Sequence, residues 1–275
     1  MDSRPTKNLS SRRRFLKGAA STAFAAPFVT SGLRANPPSE RLRHASFGAS
    51  GMAASDIGSL ARSDHFELVA VADVDAARAS GIRKRFPKAK FYQDWRELLD
   101  KESKNIDSVN VSTPDHMHGP IGLAAMDLGL HCYGQKPLAQ NLRECRAMAE
   151  MAGSKKVMTQ MGIQISSAFT ERLAVRIVQD GTIGKVTRVH SFSNKKWGDL
   201  GDVPQREDPV PESLDWDLWL GVAKDRPYIA GYYHPGNWRK RRDFGTGTFG
   251  DMGCHIFSGW YRALGLTAPL SVVSH

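Results

Sequence analysis

The stretch Leu42–Asp73, LRHASFGASGMAASDIGSLARSDHFELVAVAD, decides the fold of this chain. It begins with a short strand-like run, Leu42–Phe47, which leads into the turn GASG. A helical stretch follows to about Arg62, and then the apolar run Phe66–Ala72 ends at an aspartate. A strand, a tight turn, a helix and a second strand that ends in an acid are the layout of a dinucleotide-binding βαβ unit.

The turn carries an altered form of the glycine fingerprint of such units. A G-x-G-x-x-G match would need glycine at positions 48, 50 and 53, where this chain has Gly48, Ser50 and Ala53, and Gly51 compensates in part. The turn allows backbone N–H groups at the start of a helix to approach a pyrophosphate. We therefore expect Gly48, Ser50, Gly51 and Met52 to contact a cofactor; the alternative is an ordinary strand–helix turn.

The acid at the end of the second strand bears on the choice of cofactor. Asp73 follows Gly48 by 25 residues, close to where such units place the carboxylate that receives ribose hydroxyls, and Asp75 is a second candidate. A carboxylate repels a 2′-phosphate, so Asp73 favours NAD. The nearby Arg78 keeps NADP possible.

Strands and helices continue to alternate after this unit. We predict strands at Lys88–Tyr92, Ile106–Val111, Leu130–Tyr133 and Lys156–Met161, and helices at Asp94–Lys101, Met117–Leu128 and Leu142–Gly153, with Asp94 and Asn141 as helix caps. This alternation predicts an α/β domain with a parallel sheet and helices on both faces. Ligands bind at the carboxyl ends of such strands, and the residues that follow strand ends include Gly48, Asp73, Thr113, Pro114 and Lys136.

Two short segments suggest chemistry. GQKP at Gly134–Pro137 places a lysine just after a strand, and GDMGCH at Gly250–His255 places Asp251 and His255 four residues apart, on one face of a predicted helix. A lysine, an aspartate and a histidine that converge beside a nucleotide site make a proton-transfer set suited to oxidising an alcohol. The two segments together therefore suggest an enzyme.

Charge and cysteine content exclude some other classes. The net charge is +10, but residues 1–35 hold seven basic residues and one acidic residue, so the rest of the chain carries only +4. That balance gives no sign of a nucleic-acid-binding surface. The 3 cysteines are far apart and match no zinc spacing, so we expect no metal site.

The first 35 residues have the layout of a targeting segment. Ser11–Lys17, SRRRFLK, precedes a short apolar stretch that is too short and too rich in small residues to span a bilayer. The string resembles the twin-arginine export signal at every position. We therefore expect a signal peptide at residues 1–35, export through the twin-arginine translocase to the periplasm or beyond, and no membrane span.

Four motifs follow one another along the chain: VADVD after the second strand, STPDHMH at Ser112–His118, GQKPLA at Gly134–Ala139, and GDMGCH. With these motifs in this order, the chain from about residue 41 resembles the glucose-fructose oxidoreductase / inositol dehydrogenase (Gfo/Idh/MocA) family. The resemblance implies a Rossmann domain at residues 36–162. It also implies a substrate-binding α/β domain at residues 163–275, built on an open-faced, mostly antiparallel sheet.

The resemblance also implies roles for individual residues. Lys136 would contact both substrate and cofactor, Asp251 would orient a sugar hydroxyl, and His255 would accept the proton. Thr113, Pro114, His118 and Gln135 would add cofactor contacts. The family's usual E-K-P appears here as Gln135-Lys136-Pro137, which removes a charge beside the lysine and should leave it easier to deprotonate.

The second half of the chain is less regular. We predict a helix at residues 168–181, a strand at Lys185–Ser193, a helix at Thr246–Leu264 that carries GDMGCH, and the start of a strand at Leu270–Val273. The irregular stretch between, Lys195–Arg242, is rich in aromatic residues, and Trp238 and Arg239 are candidates to bind a sugar. The alternative is that the tryptophans only pack the loop onto the domain.

By comparison with the family, the chain looks truncated at its C-terminus, and the complete protein should be a homo-oligomer. The leading functional hypothesis is an exported NAD(P)-dependent oxidoreductase that transfers a hydride between a sugar or polyol carbinol and nicotinamide. One alternative is a redox-neutral glycosidase or epimerase that returns the hydride to the same molecule. Another is a non-catalytic sugar-binding protein.

Overall fold

The computed structural model describes residues 41–199 and 201–274. The predicted signal peptide lies outside these residues. The strands are β1 (Leu42–Phe47), β2 (Phe66–Ala72), β3 (Lys90–Tyr92), β4 (Ser108–Val111), β5 (His131–Gln135) and β6 (Thr159–Gly162). The helices are α1 (Met52–Leu60), α2 (Ser80–Arg85), α3 (Trp95–Glu102), α4 (His118–Asp127), α5 (Leu142–Lys155), α6 (Gln164–Ser167), α7 (Phe169–Gln179), α8 (Trp216–Leu220) and α9 (Gly247–Leu264).

The six strands form one parallel sheet in the order β3-β2-β1-β4-β5-β6. This is the doubly wound Rossmann order, in which the strands are added outward from β1 on one side and from β4 on the other, and a crevice is left where the strand order reverses, at the carboxyl ends of β1 and β4. The prediction of a parallel α/β sheet with crossover helices is confirmed. The strands from the sequence differ from the observed ones by a few residues at their ends.

Local sequence explains why these elements start and stop where they do. Asp94 and Asn141 cap α3 and α5, as predicted: their side chains accept hydrogen bonds from the N–H groups of Arg96 and Glu144. The sheet is buried on both faces, and its central strands β1 and β4 carry buried polar residues as well as apolar ones, among them His44, Ser108 and Asn110. Phe47 and Val109 are fully buried in the main core.

The second sheet expected from the sequence is not present among the described residues. Lys185–Ser193 was predicted to be a strand from its alternation, and Leu270–Val273 to be the start of another, but both are irregular here. A strand needs a neighbour to accept its N–H groups, and neither segment has one in the described ranges. The two predicted helices are confirmed as α7 and α9, which pack against each other.

The irregular stretch before α9 is packed around an aromatic cluster of its own. Trp219 and Phe244 are buried with ring centroids 4.7 Å apart, and Trp238 is buried in the same cluster. The segment is tied to the end of β2 by an antiparallel bridge between Asp75 and Leu214. Packing therefore accounts for several of these aromatic residues. In the described part of the chain, no helix is both long and apolar enough to cross a bilayer.

A polar residue inside the sheet makes stability depend on pH. His44 on β1 is 3 % exposed, and its ring nitrogens lie 2.8 Å from the Ser108 hydroxyl and 3.0 Å from the Asn110 side-chain oxygen. Burial lowers the pKa of His44 to about 4, which the hydrogen bond to the Asn110 side-chain oxygen only partly offsets. The ring is therefore neutral in the folded protein at neutral pH.

Acidification should destabilise the fold through this residue. Because the folded-state pKa lies below the unfolded value of about 6.5, the stability is fully present above that value and is lost as the pH falls toward about 4. The loss amounts to about 3 kcal/mol. Between pH 6.5 and 4, the free energy of unfolding measured with urea should decrease less in His44→Gln than in wild type. The exposed His190→Gln should show the same decrease as wild type. An identical pH dependence in His44→Gln would contradict this account.

Candidate functional site

The carboxyl ends of β1, β2, β4 and β5 open onto one cavity of about 440 Å³. Nine of the ten residues predicted to bind a cofactor line it: Gly48, Ser50, Gly51, Met52, Asp73, Thr113, Pro114, Gln135 and Lys136. Trp238, Arg239 and Asp251, from the second half of the chain, line the same cavity. Two parts of the sequence more than 100 residues apart thus meet at this crevice.

The glycine turn keeps the geometry that its altered sequence left in doubt. Gly48 has φ +101°, and a Cβ there would lie 2.7 Å from the backbone oxygen of Ser112, so only glycine fits. The N–H groups of Gly51 and Met52 at the start of α1 have no acceptor among the described residues. At the second glycine position, the Ser50 hydroxyl accepts a hydrogen bond from Nε of Arg78 at 3.2 Å.

Asp73 holds the turn from the end of β2. Its carboxylate accepts hydrogen bonds from the N–H groups of Ala49 at 2.8 Å and Asp75 at 3.0 Å. Burial raises the pKa of Asp73, and the two backbone hydrogen bonds oppose that rise. The second candidate, Asp75, is committed elsewhere, since its oxygens bind the Ser213 hydroxyl and the ring of His234.

Lys136 and Asp251 form an ion pair at the wall of the cavity. Lys136 Nζ lies 2.5 Å from Asp251 Oδ1 and 2.9 Å from the Asp251 backbone oxygen, and each side chain is only 14 % exposed. The other carboxylate oxygen accepts a hydrogen bond from Trp197 Nε1 at 2.8 Å. The pair therefore joins the end of β5 to the second turn of α9.

Neighbouring charges keep Asp251 ionised. Burial alone would raise the pKa of Asp251, but the hydrogen bond and positive charge of Lys136, with the charge of Arg239, bring the pKa below its ordinary value. Arg239 Nε is 3.9 Å from Oδ1. The guanidinium of Arg239 also lies 4.2 Å above the ring of Trp238, which is buried.

His255 lies one turn beyond Asp251 on α9, as predicted, but it does not line the cavity. Its ring is half-buried, and no described residue forms a hydrogen bond with it. Burial and then the positive charge of Lys136 lower the pKa of His255, while Asp251 and Glu171 act in the opposite direction. The ring is thus a neutral base near the ion pair, and its role as proton acceptor stays a prediction.

His118 lies behind the cavity wall instead of in it. Its ring is 1 % exposed, and its two nitrogens lie 2.7 Å from the Pro137 backbone oxygen and 2.8 Å from the Thr113 backbone oxygen. The Lys136–Pro137 bond between β5 and this contact is cis. His118 therefore connects two cavity-lining segments and is not exposed to a bound cofactor.

Two acidic residues near the site were missed by the sequence analysis. Asp115 lines the cavity beneath Thr246, whose hydroxyl donates to it at 2.9 Å, and burial raises the pKa of Asp115. Asp56 on α1 is buried against Ser112 and Gln135. Asp115 lies within a recognised motif, STPDHMH, but the partners of Asp56 are 56 and 79 residues away, so no local pattern could have identified it.

The electrostatic effect of Lys136 on His255 can be measured directly. We expect the His255 ring to titrate below the ordinary histidine value of about 6.5 in an NMR pH titration. Lys136→Met removes the positive charge that lowers this pKa, so the midpoint should rise, whereas the exposed Lys224→Met should not move it. A midpoint that is equal in wild type and Lys136→Met would show that the two groups do not interact.

Comparison with known proteins matches both halves of the chain to one family. Residues 42–163 match the Gfo/Idh/MocA domain described as "Oxidoreductase family, NAD-binding Rossmann fold". Residues 172–269 match the family domain described as "Oxidoreductase family, C-terminal alpha/beta domain". Together the two matches take in most of the chain.

Individual relatives are more distant. The chain is 26% identical over 186 residues to levoglucosan dehydrogenase from Pseudarthrobacter phenanthrenivorans, which is 68% of this chain and 40% of the relative. It is 28% identical over 129 residues to alpha-N-acetylgalactosaminidase from Shewanella oneidensis, 44% of this chain and 28% of the relative. The chain thus aligns with less than half the length of each of these two relatives.

A solved structure has the same fold. Myo-inositol 2-dehydrogenase from Lactobacillus plantarum is similar with a TM-score of 0.50 and 26% sequence identity, over 53% of this chain and 43% of that one. This similarity and the match of the first domain agree with the observed Rossmann strand order. The chain belongs to the Gfo/Idh/MocA oxidoreductase family, and its first domain is that family's NAD-binding Rossmann domain.

Proposed function

We propose that this chain is the cofactor-binding and catalytic part of an NAD-dependent oxidoreductase that acts on a carbinol group of a sugar or polyol. The observation that carries the proposal is the Lys136–Asp251 ion pair. It lies in the wall of the same cavity that holds the Gly48 turn and Asp73. A cofactor site and a buried lysine–carboxylate pair in one crevice suit the oxidation of an alcohol.

The residues of the crevice fit NAD. The unpartnered N–H groups of Gly51 and Met52 stand at the N-terminus of a nine-residue helix, where a pyrophosphate binds well. The Asp73 carboxylate can accept ribose hydroxyls in addition to its two backbone N–H groups. NAD would supply the acceptor for the two electrons and the hydrogen that leave the carbinol carbon.

Asp73 also favours NAD over NADP, because a carboxylate repels a 2′-phosphate. Arg78 works against that preference, since it lines the same cavity and is held there by Ser50. We therefore propose NAD as the main cofactor and weaker use of NADP.

Lys136 and His255 would have separate roles, one in binding the substrate hydroxyl and the other in accepting its proton. Lys136 lines the cavity and His255 does not, so Lys136 Nζ is the group that would bind the substrate hydroxyl oxygen. The charged partner of Lys136, Asp251, keeps the amine oriented toward the cavity. His255 has a lowered pKa, so its neutral ring would be available to accept the released proton.

Substrate class is inferred from the relatives and from the wall of the cavity. The names of the relatives include a levoglucosan dehydrogenase and an inositol 2-dehydrogenase, which act on a sugar derivative and a polyol. Arg239, whose guanidinium lies over the buried Trp238 ring, provides a polar group in the cavity wall that can bind sugar hydroxyls. A redox-neutral glycosidase is the second candidate, because a relative of similar identity is an alpha-N-acetylgalactosaminidase.

We also propose that the protein is exported by the twin-arginine pathway, on the strength of SRRRFLK at Ser11–Lys17. This pathway carries folded proteins with their cofactors bound, which suits an enzyme that needs NAD outside the cytoplasm. Replacing both Arg12 and Arg13 by lysine should keep the protein in the cytoplasm on cell fractionation, and unchanged export would refute the proposal. By family resemblance, we also propose that the protein forms a homo-oligomer.

A substrate panel tests the proposed activity. Purified protein with NAD⁺ should show rising absorbance at 340 nm with at least one of levoglucosan, myo-inositol or a simple hexose. Lys136→Ala should reduce kcat at least 100-fold, because it removes the group that binds the reacting oxygen, and the exposed Lys224→Ala should not.

The remaining outcomes decide among the alternatives. Release of nitrophenol from a nitrophenyl N-acetylgalactosaminide without net NADH would favour the redox-neutral glycosidase. Binding of a saccharide with no NAD⁺ binding by calorimetry would overturn both enzymatic readings.

A further inference from the structure

We propose that Asp56 is a positioning residue for Lys136 and acts on it through Gln135. Its buried carboxylate is the fixed acceptor that sets the direction of the backbone where β5 turns into the lysine. This inference rests on the proposed function only in that Lys136 is the working amine. Asp56 touches neither the cavity nor Lys136 itself, so its action has to pass through the intervening side chain.

A continuous path of hydrogen bonds connects the two residues. Asp56 is 7 % exposed, and its Oδ2 accepts a hydrogen bond from Gln135 Nε2 at 3.0 Å. Gln135 is 4 % exposed, and its Oε1 accepts a hydrogen bond from the backbone N–H of Lys136 at 2.9 Å. One side-chain amide therefore links the α1 carboxylate to the lysine backbone.

The same carboxylate orients a second branch of the network. The Ser112 hydroxyl donates to Asp56 Oδ2 at 2.7 Å and accepts from Asn110 Nδ2 at 2.9 Å. Asn110 Oδ1 accepts from the ring of His44 at 3.0 Å. Because an amide oxygen can only accept, the ring nitrogen that faces Asn110 carries the proton.

The hydrogen bonds of both branches are donated in the direction of Asp56. One branch runs from His44 through Asn110 and Ser112, and the other from the Lys136 N–H through Gln135. Asp56 Oδ2 accepts from Gln135 Nε2, so it fixes the Gln135 amide with its NH₂ toward α1 and its oxygen toward the lysine. Without the carboxylate, the amide could rotate by 180°, and its NH₂ group would then face the Lys136 N–H.

The arrangement also explains the Gln-Lys-Pro sequence. In the family pattern the residue before the lysine is glutamate, whereas here that position is an amide and the buried carboxylate is on α1. A glutamate at position 135 would place two carboxylates against each other in a buried site, which is unfavourable. Glutamine at position 135 therefore avoids a second carboxylate next to Asp56.

Lys136 is consequently held at both ends. Gln135 holds its backbone N–H, and Asp251 holds its Nζ. Loss of the Asp56 anchor should loosen the backbone end while the ion pair remains. Misplacement of a reacting group by about 1 Å can cost on the order of 100-fold in rate, so the expected effect is on kcat more than on cofactor affinity.

The most direct test exchanges the acid and the amide between Asp56 and Gln135. Asp56→Leu should lower kcat at least tenfold, with the dissociation constant for NAD⁺ changed less than threefold, and Asp56→Asn should be intermediate. Gln135→Glu alone should also impair turnover. The double variant Asp56→Asn with Gln135→Glu restores one carboxylate and one amide and should recover kcat to within threefold of wild type. The exposed Asp64→Asn is the matched control.

A second readout does not depend on turnover. The rate at which acetic anhydride acetylates Lys136, followed by peptide mass spectrometry across pH, should change in Asp56→Leu and return toward wild type in the double variant. If wild type binds NAD⁺ but oxidises none of the test substrates, the proposed function fails and this readout alone judges the role of Asp56. Loss of stability with kcat per folded molecule and Lys136 reactivity unchanged, or a double variant no better than Asp56→Leu, would overturn the inference.

Discussion

The ion pair between Lys136 and Asp251 is the interaction on which the site depends. It is the point where the Rossmann sheet, through the end of β5, meets α9, and both partners are largely shielded from water. Removing either partner would leave the other as an uncompensated buried charge, which is strongly unfavourable. The other contacts of the site hold the Lys136 amine and the Asp251 carboxylate in position.

Those contacts come from both sides of the crevice. On one side, Trp197 and Arg239 surround the Asp251 carboxylate and help to keep it ionised. On the other side, the hydrogen bonds that converge on Asp56 fix the backbone that carries Lys136. The electrostatic outcome is a charged amine at the cavity wall and a neutral histidine one helical turn away.

The sequence predicts the first domain well because its signals are local. Apolar strands, the caps Asp94 and Asn141, and the spacing from Gly48 to Asp73 each act within a few turns of chain, and together they determine a parallel sheet. The fingerprint survives with Ser50 in place of glycine because Gly48 alone takes the backbone shape that the close approach to Ser112 requires.

What the sequence could not predict depends on distant partners. Lys185–Ser193 has the pattern of a strand but no neighbour to pair with among the described residues, so it stays irregular. Asp56 was missed because its partners are far away in sequence. His118 was expected to touch the cofactor, but its nitrogens are taken by backbone oxygens that no pattern reveals.

The most direct test of the central ion pair is a double-mutant cycle of Lys136→Met and Asp251→Leu on the free energy of unfolding. We expect a coupling energy of about 2 kcal/mol or more, whereas additivity within about 0.5 kcal/mol would show that the two groups do not stabilise each other.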